Sequence, residues 1–251
     1  MIRGATIGWF SVLILLTAFV VAPELFTFVF APLTEHDAPA IYNQSSLLSL
    51  TVSHLTIVFG AALASTVIAV GLGIFVTRPG GVEFLPLSRS LVNTGQTFPP
   101  IAVLAVAVPL VGFGEAPTFI ALFLYGLLPI FENTLSGLTQ VPPLTLEAAR
   151  GMGMGPRKRL TDVELPLALP VILAGIRLSI IINLGTATIG STVAAKGLGE
   201  VIIAGLQSNN LAFVMQGGLV VALLAILIHG LLSSLERYAS RRLGGAGRAT
   251  L

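Results

Sequence analysis

Apolar residues in this chain fall in long runs rather than at helical or strand spacing. Six runs stand out, at residues 5 to 22, 47 to 76, about 91 to 111, 117 to 138, 167 to about 192, and 217 to 235. About 20 consecutive apolar residues cross the hydrocarbon of a bilayer as a helix, so the pattern predicts an all-α integral membrane protein with about six transmembrane helices. The second run, 30 residues long, makes about 45 Å of helix and crosses tilted or begins outside the hydrocarbon. Its small residues Gly60, Ala64, Gly71 and Gly73 allow another helix to approach closely.

The polar interruptions carry the remaining information. The first run follows Arg3 and stops at Pro23-Glu24. A basic start, an apolar stretch and Ala22 also describe a secretory signal, but the length of the run and Pro23 at the cleavage position favour an uncleaved helix. Residues 24 to 46 hold Glu24, Glu35 and Asp37 and no Lys or Arg, which suits an external loop. The third run opens with Asn93-Thr94-Gly95-Gln96-Thr97-Phe98-Pro99-Pro100. Such a stretch cannot face lipid: it lines a protein-enclosed path, or the helix starts only at Ile101.

Two charges lie within apolar runs, Glu132 beside Asn133 and Arg177 near Asn183. Each costs about 2.5 to 3.5 kcal/mol at mid-helix on insertion scales, and both lie roughly 10 to 15 Å from the inner helix ends. They are expected to pair or to face one wet path; alternatively each snorkels or pairs with its own neighbours. Residues 193 to 216, broken by Gly and Asn, predict an external re-entrant or amphipathic piece carrying Lys196. His54, near the outer end of the second run, is expected to be interfacial.

Composition agrees with this reading. The chain is 55% hydrophobic and 10% charged, with mean hydropathy +0.96. The pI near 9.4 does not indicate nucleic acid, because the basic residues sit in short loops and the tail. With residues 139 to 166 placed inside, eleven basic residues (Arg3, Arg78, Arg89, Arg150, Arg157, Lys158, Arg159, Arg237, Arg241, Arg242 and Arg248) fall on that side and Lys196 alone outside. Positive charge marks the cytoplasmic face, so both termini are expected there. Without cysteine there is no disulfide and no thiolate metal site. His36, His54 and His229 are too scattered for a metal centre, and no catalytic cluster appears. The only lysines, Lys158 and Lys196, do not close a Walker A loop, so energy from ATP must come through another subunit.

The stretch 139 to 166 (TQVPPLTLEAARGMGMGPRKRLTDVELP) is a polar island between the fourth and fifth runs. Pro142 and Pro143 end the preceding helix, and Thr145 is placed to cap a helix opening at Leu146. Gly151, Gly153 and Gly155, followed by Pro156, interrupt it. A second helix, Arg157 to Leu165, leads back to the membrane at Pro166. Two short helices meeting at a glycine suit insertion into a partner's groove.

This island resembles the EAA loop of the membrane subunits of ATP-binding-cassette importers: E-A-A, three residues, G, nine residues, I-x-L-P. Glu147-Ala148-Ala149, Gly153 and Val163-Glu164-Leu165-Pro166 satisfy it, with Val in place of Ile. Over about 50 to 235 the chain is similar to the osmoprotectant or quaternary-amine branch, through Gly95 to Pro100, Glu147 to Met154, Val163 to Ile172, Asn183 to Thr188 and Gly197-Leu198-Gly199. Glu132 and Lys196 depart from that branch. The resemblance implies a MetI-like permease core at 47 to 236 around a coupling loop, an N-terminal helix and external loop at 1 to 46, and a basic cytoplasmic tail at 237 to 251.

It further implies that Glu147, Ala148, Ala149, Gly151, Gly153, Val163, Leu165 and Pro166 couple to an ATPase. Gln96, Thr97, Pro99, Glu132, Arg177, Asn183, Thr186 and Thr188 are the candidates for the translocation path. No cofactor is expected on this chain, with ATP and Mg on the partner ATPase dimer. A second permease subunit (an identical copy or a paralogue), an external substrate-binding protein and the lipid bilayer are the other expected partners, and nucleic acid is not. The setting implied is the bacterial inner membrane. Glycine betaine or a related quaternary amine is the expected substrate; an amino acid such as methionine in the same machinery, or an ion-coupled carrier, is the alternative.

Overall fold

The computed structural model describes residues 2–35 and 38–243, with side chains from residue 8 to 242 within them. His36, Asp37 and Arg248 lie outside the described residues, as does the side chain of Arg3. The regular elements among the described residues are all helical, with no strand among them. In order come α1 (Ile2–Val21), α2 (Thr27–Phe30) between two 3-10 turns, α3 (Leu47–Val76), α4 (Leu85–Thr97), α5 (Pro100–Val111) and α6 (Glu115–Thr139). They are followed by α7 (Pro143–Gly151), α8 (Pro156–Arg159), a π turn at Leu160–Glu164, α9 (Leu165–Thr186), a 3-10 turn at Ala187–Val193, α10 (Gly199–Gln207) and α11 (Leu211–Leu243).

Four stretches among the described residues are long and apolar enough to cross a membrane: Leu47–Val76, Glu115–Thr139, Pro156–Val193 and Leu211–Arg242. Two bent pairs bring the number to six if each is one span: Gly8–Val21 with Pro23–Leu33, bent by 111°, and Val82–Thr97 with Pro100–Val111, bent by 96°. Proline sets the second bend. Phe98 is extended (φ −82°, ψ 135°), as a residue before proline must be, and Pro100 begins the next helix, where its missing N–H costs nothing. Asn93 to Thr97 of the polar stretch therefore lie within α4, and only Phe98 and Pro99 stand outside helix.

Three boundaries differ from the sequence reading. The last helix starts at Leu211, not Gly217, because Asn210 acts as its cap: its Oδ1 accepts from Phe213 N at 3.3 Å. The Asn pair that reads as an interruption is a helix start. In the island, Pro143 at the first helical position opens α7, so Thr145 lies inside the helix and caps nothing. The second short helix does not end at the membrane, for α8 and the π turn run directly into α9.

The chain forms two compact units, Met1–Ala61 with Pro99–Leu122 and Ile181–His229, and Ala62–Phe98 with Phe123–Ile180 and Gly230–Leu251. In the first, Phe19 packs on Phe26 and Phe30 at ring separations of 5.1 and 5.3 Å, and Leu50, Leu198, Val201 and Val220 are fully buried. In the second, Ile130 and Phe131 are fully buried against Ala69, Val76 and Val92. Close approach there requires glycine: a Cβ on Gly175 of α9 would lie 2.6 Å from Asn133 Cβ and 2.7 Å from the Pro129 carbonyl of α6.

Candidate coupling turn and polar path residues

Helix α7 ends in a turn that only glycine completes comfortably. Met154 N donates to Ala149 O at 3.1 Å and Gly153 N to Arg150 O at 2.9 Å. This pair of bonds is the Schellman termination of a helix, and it needs a left-handed residue at the position Gly153 fills, where φ is +77°. The spacing of three between Glu147-Ala148-Ala149 and Gly153 is thus one turn of helix plus its terminator. Ala149 faces inward and is buried. Glu147, Ala148 and Gly151 are exposed, and beside them stand two large apolar side chains in the open, Leu144 at 78% and Met152 at 69% exposure. Positions 144, 148 and 152 recur every four residues, one helical face. An acidic side chain on an apolar helical face is the chemistry of a docking helix. The motif alone does not single out Leu144 and Met152, although their spacing, two steps of four residues, is present in the sequence.

The returning limb of the island is held differently. Val163, Leu165 and Pro166 are half-buried, while Glu164 between them is buried at 4% exposure. Its carboxylate accepts from the guanidinium of Arg78, just beyond the end of α3, and from Arg159 Nε at 3.0 Å. Neither arginine is an expected partner from the sequence, which offers no signal that Arg78 and Glu164, 86 residues apart, meet.

The candidate path residues fall in both units. Gln96, Thr97, Glu132 and Arg177 belong to the second unit, and Pro99, Asn183, Thr186 and Thr188 to the first. Gln96 repairs a gap in a helix, its Nε2 donating to Tyr125 O at 2.9 Å. That carbonyl is the one left without a helical donor by Pro129, four residues on. Tyr125 in turn donates its hydroxyl to Phe98 O at the bend. Thr97 is exposed, its hydroxyl bonded to Asn93 O at 3.0 Å.

Asn183 is fully buried and donates to Leu122 O at 3.1 Å. The hydroxyls of Thr186 and Thr188 bond to Ile182 O at 3.0 Å and Gly185 O at 2.7 Å. His54 is buried within the protein: at 1% exposure its Nε2 donates at 3.0 Å to Leu184 O, one of the carbonyls that the end of α9 leaves unpaired.

The expected Glu132–Arg177 pair does not form. Glu132 accepts both ends of the Arg89 fork, Nε at 2.7 Å and Nη2 at 3.1 Å, a bidentate geometry. Arg177 reaches Glu236 on α11 at 3.0 Å. Each charge has a neighbour of opposite sign on another helix, in keeping with the alternative reading. Glu236 follows directly on the sixth apolar run of the sequence, and α11 continues unbroken through it.

The stretch 193 to 216 holds a third cluster. Glu200 on α10 accepts from Tyr42 Oη at 2.7 Å and Ser45 Oγ at 3.0 Å. Gln216 accepts from Tyr42 N at 3.1 Å and donates to Ala40 O at 2.7 Å, and Asn210 donates to Pro39 O at 2.9 Å. Burial first, and the Glu200 carboxylate with it, hold the Tyr42 phenol well above its ordinary pKa, so it remains a donor.

Residues 69–245 match the family described as binding-protein-dependent transport system inner membrane component. The chain belongs to this family. Among similar proteins, the osmoprotectant import permease protein OsmY of Salmonella typhimurium is 40% identical over 198 residues, covering 79% of this chain and 84% of that protein. The choline transport system permease protein OpuBB of Bacillus subtilis is 40% identical over 197 residues, 78% of this chain and 89% of that one. In fold, this permease resembles a chain of the MetNI methionine ABC transporter solved in inward-facing conformations, with TM-score 0.68 and 24% identity over 78% of this chain and 96% of that chain. The MetI-like all-helical architecture expected from the sequence is therefore the fold of this permease, an inner-membrane component of a transport system.

Proposed function

We propose that this permease carries glycine betaine or a related quaternary-amine osmoprotectant inward by alternating access, driven by an ATPase dimer that docks on α7. The observation that carries the proposal is the helix ended by Gly153, with exposed Glu147 flanked by Leu144 and Met152. A carboxylate amid apolar anchors suits a groove with a basic rim and an apolar floor. ATP and Mg are bound by that partner. A second permease subunit completes the membrane part, and an external binding protein delivers the substrate, its aromatic side chains suited to a quaternary ammonium. Both termini and α7 face the cytoplasm, the arrangement that gathers eleven of the thirteen basic residues on one side.

The substrate class follows the relatives at 40% identity, whose names specify osmoprotectants and choline. The methionine transporter supports the fold at 24% identity and lends a methionine substrate little weight. Two variants test the docking face in proteoliposomes holding the whole assembly. Glu147→Arg places like charge against a basic rim, and Gly153→Pro destroys the terminating turn. Each is expected to abolish copurification of the ATPase and uptake of radiolabelled betaine; retention of both overturns the reading. Competition by unlabelled betaine or choline, and none by methionine, is the expected selectivity.

A further inference from the structure

The triad of Arg78, Glu164 and Arg159, built around the buried Glu164 carboxylate, is among the described residues a charged contact that joins the limb after the glycine turn to another part of the chain. Arg159 closes the first helical turn after the glycine bend. Glu164 ends the π turn beyond it, and its side chain is only 5% exposed against 26% for Arg78 and 17% for Arg159. Arg78 belongs to the corner between α3 and α4. Its N–H donates to Phe75 O at 3.0 Å, and its carbonyl accepts from Gly81 and Val82 at 2.9 and 3.0 Å. A side chain at Gly81 would collide with the Phe75 carbonyl, so this corner is packed tightly onto the end of α3.

Two features set the triad apart from a simple fastening. Buried ion pairs contribute little net stability relative to apolar packing, and their best-attested use is to hold a register or a switch. The π turn is the second. Its hydrogen bonds reach one residue further along the chain than those of an α-helix, and such turns are frequent at functional sites. A carboxylate at its last position, gripped from both sides, ties any displacement of α8 to the corner from which α4 departs. Helix α4 carries Gln96 and Thr97 to the bend at Phe98.

We propose that Arg78–Glu164–Arg159 is a mechanical strut: a set of positioning residues that converts movement of the coupling turn into movement of the α3–α4 corner. The proposal rests on α7 being the docking helix. Its signature is uncoupling, ATP hydrolysis that continues while transport fails.

The test uses the complete assembly in proteoliposomes, with ATP hydrolysis and betaine uptake measured on one preparation. Glu164→Gln keeps the shape and removes the charge. Uptake per ATP is expected to fall about tenfold, the scale set by one charged hydrogen bond, with hydrolysis and ATPase copurification retained. Arg78→Gln, at the more accessible end, is expected to act in the same direction and serves if Glu164→Gln does not assemble. Unchanged uptake per ATP in an assembled variant overturns the strut. So does a loss of uptake matched by equal losses of hydrolysis and thermal stability in both variants, the mark of a merely structural role. The docking reading fails separately, through an ATPase that stays bound to Glu147→Arg and uptake that persists with it.

Discussion

The two units differ in the polar contacts that stand out in each. In the first, neutral side chains answer backbone groups: Gln216 spans Tyr42 N and Ala40 O, Asn183 serves Leu122 O, and His54 serves Leu184 O. In the second, the prominent contacts are between full charges: Arg78 and Arg159 on Glu164, Arg89 on Glu132, and Arg177 on Glu236. Hydrogen bonds from amides to carbonyls are short-ranged and directional and respond little to salt. Ion pairs keep much of their strength as geometry shifts, because Coulomb energy falls only as the inverse of distance. A region fastened by the first kind suits a fixed frame, and one fastened by the second suits parts that move while staying connected. The glycine turn at Gly153, the proposed docking point, lies in the second unit.

The largest effect is expected where the second unit depends on shape rather than charge. Gly175→Leu drives a side chain into the Pro129 carbonyl and Asn133 and should cost about 3 kcal/mol or more, the upper range for overpacking. Thermal unfolding in detergent measures it, and a small shift would mean that α6 and α9 part easily. Next comes Gln216→Leu in the first unit, which leaves the Tyr42 N–H and Ala40 carbonyl unpaired. About 2 to 3 kcal/mol is expected, with faster hydrogen exchange at Tyr42. That cost should be the same at low and high salt.

The smallest effect is expected from Arg89→Gln, whose side chain is half exposed. It should cost less than about 1 kcal/mol, and the salt dependence of stability contributed by the pair should vanish with it. A salt-sensitive Gln216→Leu or a salt-insensitive Arg89 pair would erase the contrast between the units.

Much of this is legible from residues alone, and for identifiable reasons. The long apolar runs announce membrane helices because lipid leaves a backbone few alternatives. Phe98-Pro99-Pro100 announces a bend because proline constrains its predecessor. The island announces its turn because Gly153 is one of the few residues at ease with positive φ. Starts and partners are harder. Asn210 reads as a breaker and proves a cap, since an asparagine does either according to the residues after it. Thr145 looks like a cap and is displaced by Pro143, which needs no cap of its own. Arg89 and Glu236 are overlooked as partners because depth along a helix does not specify the face on which a charge emerges.

The sequence by itself determined the membrane class, the helical architecture, the family and the glycine turn of the island. All of these rest on local chemistry or on runs of like residues, and they survive without knowledge of neighbours. Only the tertiary structure decided which charge meets which, that Glu164 is gripped from two sides, and that the first and last thirds of the chain share the Tyr42–Glu200–Gln216 clamp. Those contacts join residues 43 to 174 positions apart, apart from the local grip of Arg159. At such separations one chain carries no pairing signal, because each charge or amide is satisfied by any partner of suitable chemistry that packing brings within reach.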